Sequence, residues 1–375
     1  MNCRLCGLVA ASILLLSQLQ GQESQVGADE GAIACTAEVT ASVTGIHLPT
    51  TGQSLGSAVE LNLGLEGGSS AHIRASIRAA IFQGAAVLPL WTSLGASASG
   101  SIGIFTAPAF DPATPAPDWL ALLSLDELGL SWSGGALEAE AGLGFANWGL
   151  GKAFSPADFF SEIDSSSALP RRKSALIGRI SWFPSQLWRI DIVGSPMAAP
   201  SIGGGRGSLL AARAYGLVSE SLLLAASLGW KDPTDSSPQI IGALEASIDA
   251  GWLTPYAELA ASSPLDGALN RDIGWKLLAG LSAAFPGAAF AAEYLFSPET
   301  EKIHAVFGSA ALKLDEWNSV SASAIFAPGS GSGTASLGLD SESLPGLRLG
   351  ISGSASRSLL GSWSFNLIVS VRSRI

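Results

Sequence analysis

Few positions in this chain combine side-chain type and spacing in a way that could carry chemistry. Gly151-Lys152 resembles the end of a phosphate-binding loop. Such a loop needs a Gly five positions before that Gly and a Ser or Thr after the Lys, where this chain has Ala146 and Ala153, so the phosphate reading fails. The run from Gly203 to Gly207 has no helix after it to hold a phosphate and reads as a flexible connection. His47, His72 and His304 are dispersed, and none has a Ser, Asp or second His at catalytic or metal-ligating spacing. Cys3 and Cys6 form a C-x-x-C inside the apolar N-terminal segment, which leaves Cys35 without a partner for a disulfide. The charges that do cluster are Asp158, Glu162 and Asp164, followed by Arg171, Arg172 and Lys173. Folded across a watery passage, these acids and bases would oppose each other and set a transverse field on passing ions. No catalytic residue, cofactor or metal is expected.

What must position those charges follows from composition. The 375 residues are 47% hydrophobic and 14% charged, with 44 Gly and 11 Trp. The mean hydropathy of +0.37 suits a membrane protein. Yet beyond the N-terminus no window approaches the roughly 20 unbroken apolar residues of a spanning helix. Arg4, then Gly7 to Leu16, then Ser17, Gln18 and Gln20 follow the basic, apolar and polar order of a secretory leader. Residues 1–21 are therefore expected to be a signal peptide, cleaved between 21 and 28. Of 20 basic and 31 acidic residues, that removes one Arg and no acid, leaving a net charge of −12, a poor match for nucleic acid.

An exported, apolar chain without spanning helices can satisfy its backbone in lipid only as a closed barrel. The test is period-two alternation, apolar toward lipid and polar or small toward a lumen. Near the C-terminus Trp363, Phe365, Leu367, Val369 and Val371 alternate with Ser364, Asn366, Ser370 and Arg372. Leu347, Leu349 and Ile351 oppose Arg348, Gly350 and Ser352, and Val59, Leu61, Leu63 and Leu65 oppose Glu60, Asn62, Gly64 and Glu66. The segment from Leu137 to Phe145 sets Leu137, Ala139, Ala141 and Leu143 against Glu138, Glu140, Gly142 and Gly144. Short turns, such as Pro286-Gly287 and Pro184-Ser185-Gln186, alternate with longer breaks, such as 195–207 and 149–173. The pattern predicts an all-β transmembrane antiparallel barrel of about 18 strands over residues 54–375, with about 16 the next most favoured count. One of those strands falls at about 92–106. Residues 22–53 form an N-terminal segment, of which 33–45 also alternates and could add a wall strand.

On this pattern Glu138, Glu140, Arg179, Arg189, Asp191, Arg213, Glu245 and Lys276 face the lumen, as do Glu60, Glu66, Asp249, Glu293, Arg372 and Arg374. Both signs occur, so no strong ion selectivity follows, and the net charge tilts toward cations. Trp148, Trp182, Trp188, Trp230, Trp252, Trp275, Trp317 and Trp363 fall near strand ends, where indoles favour the membrane–water boundary and form a girdle. The longest connection, 149–173, opens with Gly149, Gly151, Pro156 and Asp158, and Phe154, Phe159, Phe160 and Ile163 predict that it is packed.

The stretch W-G-x-G-x-x-F-S-P-x-D-x-F from Trp148 to Phe160, the basic Arg171-Arg172-Lys173 and the strand ending Trp182-Phe183-Pro184 resemble a motif of poorly characterised porin-like outer-membrane β-barrel proteins of diderm bacteria. The resemblance implies a barrel with this loop near the pore and assigns neither substrate nor catalytic residue. Such barrels usually end in an aromatic residue read by the assembly machinery, and this chain ends in Ile375. The expected partners are the lipid bilayer, the outer-membrane assembly machinery and small solutes, with the oligomeric state open. The expected function is a porin-like channel in the outer membrane for passive diffusion. A non-conducting surface-exposed binding or structural barrel is the alternative, and a barrel hydrolase centred on His304 comes third.

Overall fold

The computed structural model describes residues 34–48, 52–68, 70–84, 87, 104–107, 115–144, 146, 148–160, 163–164, 171–172, 175–198, 207–234, 237–265, 273–298, 303–329, 331–344, 347–357 and 363–374. The expected leader lies outside them, as do Glu162 and Lys173. Among the described residues no helix is long and apolar enough to cross a membrane. The strands run as β1 (Ala34–Leu48), β2 (Gly52–Gly68), β3 (Ala71–Gly84), β4 (Ile104–Ala107), β5 (Trp119–Gly134), β6 (Leu137–Gly144), β7 (Ile163–Asp164) and β8 (Arg171–Arg172). They continue as β9 (Ala175–Ser185), β10 (Trp188–Ala198), β11 (Gly207–Leu217), β12 (Leu222–Pro233), β13 (Gln239–Ile248), β14 (Leu253–Pro264) and β15 (Gly274–Phe285). The last are β16 (Ala288–Ser297), β17 (Ile303–Lys313), β18 (Asn318–Ala327), β19 (Ser332–Leu344), β20 (Leu347–Arg357) and β21 (Trp363–Arg374). The chain is all-β: 19 of these strands form one sheet, and β7 pairs with β8 in a separate ribbon.

The first compact unit holds residues 1–128, 313–321 and 336–375. In it β1 pairs antiparallel with β2, from Ala34 opposite Glu66 to Leu48 opposite Gly52. On its other side β1 pairs with β21, from Thr36 opposite Arg374 to His47 opposite Trp363. First and last strands are thus neighbours, so neither leaves a free edge of unpaired amides. β2 pairs in turn with β3, and β20 with β21. Of the strand expected at about 92–106, residues 92–103 lie outside the described residues. The described end of it is β4, paired with β5, and β3 also pairs with β5 directly. With β1 in the sheet the described residues give 19 strands, one more than the 18 expected from residue 54 and the count that the alternating segment 33–45 would add.

The second unit holds residues 129–312 and 322–335. From β9 to β17 each strand pairs antiparallel with the next, through connections that alternate short and long. At Pro286-Gly287 the proline presets the first turn position and Gly287 takes φ +79°, which joins β15 to β16 in two residues.

Side chains sort by parity in the reverse of a water-soluble sheet. On β12 and β13 the exposed positions are Leu224, Leu228, Trp230, Ile240, Leu244 and Ile248, with Leu228 63% exposed, while Ser227, Lys231 and Glu245 are buried. In water each such Leu would forgo about 1.5–3 kcal/mol of burial, so this face calls for an apolar solvent. Leu143 departs from the expected outward row. It is buried, one residue past Gly142, whose φ of +142° breaks the regular pleat of β6.

Candidate functional site

The core of the second unit lies where residues 146–160 fold back onto the buried face of β9–β14. Trp148 meets the edges of Phe159 and Phe160 at 5.8 and 5.0 Å. With Ala146 and Ala157 they fill a cluster completed by Ile177, Val193, Leu209, Ala211, Ile241, Ala243 and Ala260 from the wall. The small wall alanines make room for the three large rings. Trp148 is 1% exposed, which corrects its expected place in the girdle. β6 ends at Gly144, and the chain then turns inward instead of continuing along the outer face.

Polar anchoring comes from two buried carboxylates on the wall. Glu258 of β14 accepts the backbone N–H groups of Leu150, Gly151 (2.6 Å) and Ala157 (3.1 Å). Ser155 Oγ lies 3.0 Å from the Trp148 carbonyl oxygen and 3.4 Å from Glu258 Oε2, so its one proton serves either acceptor. Glu293 of β16 accepts the N–H groups of Lys152, Ala153 (3.0 Å) and Phe154 (3.0 Å), and the Tyr256 hydroxyl donates to it at 2.6 Å. The loop backbone thus makes two concave nests of N–H groups, each filled by one carboxylate. Glu258 is 1% and Glu293 3% exposed, and such charge-assisted hydrogen bonds offset the cost of burying them.

The motif glycines follow from this approach. Gly149 has φ +92°, and a Cβ there would lie 1.8 Å from Ser155 Oγ and 3.1 Å from both Glu258 oxygens. A Cβ on Gly151 would lie 1.5 Å from the Phe154 carbonyl oxygen and 2.7 Å from Leu278 Cδ2. Asp158 is also structural. It is buried, and its Oδ1 accepts the Phe160 N–H at 3.1 Å, while its own N–H donates to the Ser155 carbonyl.

Several residues predicted to face inward are brought together. Arg213 donates to both Glu245 oxygens at 3.0 and 2.7 Å, with its guanidinium 4.7 Å over the Tyr215 ring and 5.9 Å from that of Trp148. Arg189 donates to Asp191 at 2.6 Å and Ser181 at 2.9 Å, and Arg179 pairs with Glu140. Glu138 and Lys276 are half-buried. Asp249 instead occupies an exposed turn, where its Oδ1 accepts the Gly251 N–H. In the β7–β8 ribbon Asp164 stands opposite Arg171 and Ile163 opposite Arg172.

Among the other tryptophans Trp182, Trp188, Trp230, Trp252, Trp317 and Trp363 are exposed, and Trp275 is half-buried against Phe296. His72 lies 3.0 Å from Glu66. His304 is hydrogen-bonded to Tyr294 and lies tilted against the Phe296 ring, and His47 stands opposite Gln53 in the ladder. Among the described residues no group of His, Cys, Asp and Glu could hold a metal ion. Glu258 escaped the sequence reading, although the phase that turns Glu245 inward does the same for Glu258, its partner in register.

No family model matches the chain, and no curated protein matches it. Solved structures do, among them outer-membrane porins of Pseudomonas aeruginosa. OccK9 (OpdG) superposes with a TM-score of 0.57 at 11% identity, over 92% of this chain and 99% of its own. OccK5 (OpdH) gives 0.56 at 11% identity, over 92% and 98%. OpdK, solved with vanillate, gives 0.55 at 10% identity, again over 92% and 98%. This similarity shows the fold class, an all-β antiparallel sheet shared with those structures.

Proposed function

We propose that the chain is a porin-like channel in an outer membrane, through which small solutes diffuse passively. The observation that carries this reading is the reversed sorting of side chains, with exposed Leu228, Leu244 and Trp230 against buried Arg213, Glu245 and Glu258. Lipid is the solvent that favours the first set, and a lumen accounts for the second. In this reading the strands close into a barrel, residues 1–21 are the export leader, and the exposed tryptophans mark the headgroup level on both sides. The assembly machinery would receive the chain, and the loop from Trp148 to Phe160 narrows the passage. The fold shared with the Pseudomonas porins supports the same reading, and one of them, OpdK, was solved with vanillate, a small organic solute.

The tight seating of the loop favours one competing reading, a plugged barrel with a structural or binding role. Reconstitution of the folded mature chain in planar bilayers separates the two. Reproducible stepwise conductance is expected, and persistent silence from correctly inserted protein would remove the channel in favour of the plug.

A further inference from the structure

We infer that Lys152 sets the sign of the passage's charge preference and draws small anions toward the loop, an inference that rests on the channel reading above. The Lys152 N–H is bound by Glu293, near the middle of β16, so its backbone is fixed partway along the wall rather than at a strand end. Among the described residues from 146 to 160, Lys152 is the exposed one, while the others are buried or half-buried.

The arginines of the neighbouring wall are paired with acids. Arg179, Arg189 and Arg213 are paired with Glu140, Asp191 and Glu245. Glu258 and Glu293 are each surrounded by three loop N–H groups, and Asp158 is turned inward to cap Phe160. The Lys152 ammonium has no ion-pair partner among the described residues, so it is the exposed charge that this loop presents, while the carboxylates of Glu258, Glu293 and Asp158 are buried. Several of the acids behind the overall negative charge sit elsewhere, Asp249 and Asp315 being in exposed turns. A fixed charge at a narrowing selects ions through its local field, and total protein charge does not decide the sign. On this inference the passage prefers anions, where net charge alone tilts toward cations.

The test is the reversal potential of the reconstituted channel in a potassium chloride gradient. Wild type should favour chloride, Lys152→Gln should lose most of that preference, and Lys152→Glu should lower the chloride-to-potassium permeability ratio several-fold and favour potassium. A Lys152→Glu channel that conducts with the wild-type reversal potential overturns the inference and leaves the channel reading intact. Failure of that reading is recognised separately, by a wild-type protein that does not conduct. As a second measurement, Lys152→Cys treated with a bulky anionic thiol reagent should lose current, with wild type, which carries Cys35, as the control. Full modification confirmed by mass, with current unchanged, would likewise overturn the placement.

Discussion

Strands β10–β14 and strands β19–β20 share one kind of outer face and differ on the other. Outward, both show large exposed aliphatics, Leu210, Leu228 and Leu244 in the first group and Leu337, Leu349 and Ile351 in the second. On the opposite face the first group buries Ile241, Glu245, Tyr256 and Glu258 beneath the folded-in loop. The second carries Asp340, Glu342, Arg348, Ser352 and Ser354, all exposed or half-buried. Two ion pairs measure the contrast. Arg213 and Glu245 are 8% and 0% exposed, whereas Arg348 and Glu342, 3.2 Å apart, are 52% and 39% exposed. The outer faces match because one solvent shapes them both. The inner faces diverge because one supports a loop and the other meets water.

The contrast breaks most completely if the loop loses both anchors. Glu258→Ala combined with Glu293→Ala would leave the loop N–H groups of both nests without acceptors, at about 1–3 kcal/mol for each one kept buried. The loop is expected to lift off the wall, which raises single-channel conductance and opens residues 148–160 to proteolysis while the circular dichroism of the sheet persists. Unchanged conductance and unchanged protease resistance would show that the nests do not hold it. Arg213→Ala comes next, since it leaves Glu245 charged and buried without its bidentate partner. A loss of about 3–5 kcal/mol is expected in denaturant titrations in detergent, and a loss below about 1 kcal/mol would mean that water reaches this pair. Arg348→Ala is the smallest, about 0–1 kcal/mol and weaker still in high salt. A large effect there would show that the second face is covered after all.

The strands were legible because a two-residue period and tight turns are local properties. Pro286-Gly287 could be placed from its own chemistry, and Leu224, Leu228 and Trp230 from their spacing. The segment 33–45 was ambiguous because its small residues, such as Ala37, Thr40, Ala41 and Ser42, alternate weakly and fit either face. At the loop, Phe159 and Phe160 pointed to packing, but nothing local reveals which wall carboxylate receives which amide. Gly149 and Gly151 read as the opening of a long connection, and their constraint became visible only once Ser155 and Glu258 crowded the place of a Cβ at the first and Phe154 and Leu278 at the second. Trp148 was misplaced for a related reason. An indole near a strand end suits the interface or the interior equally well, and the direction of the chain after Gly144 decides between them.

The two anchoring carboxylates also bear on how the molecule comes into being. Glu258 lies 101 residues after Ala157, and Glu293 lies 141 after Lys152, so the loop is synthesised well before the groups that receive its amides. Until β14 and β16 have joined the sheet, the loop has no seat, and closing so long a span must await them. Docking of the loop therefore cannot precede the pairing of β14 and β16, however early its own residues emerge.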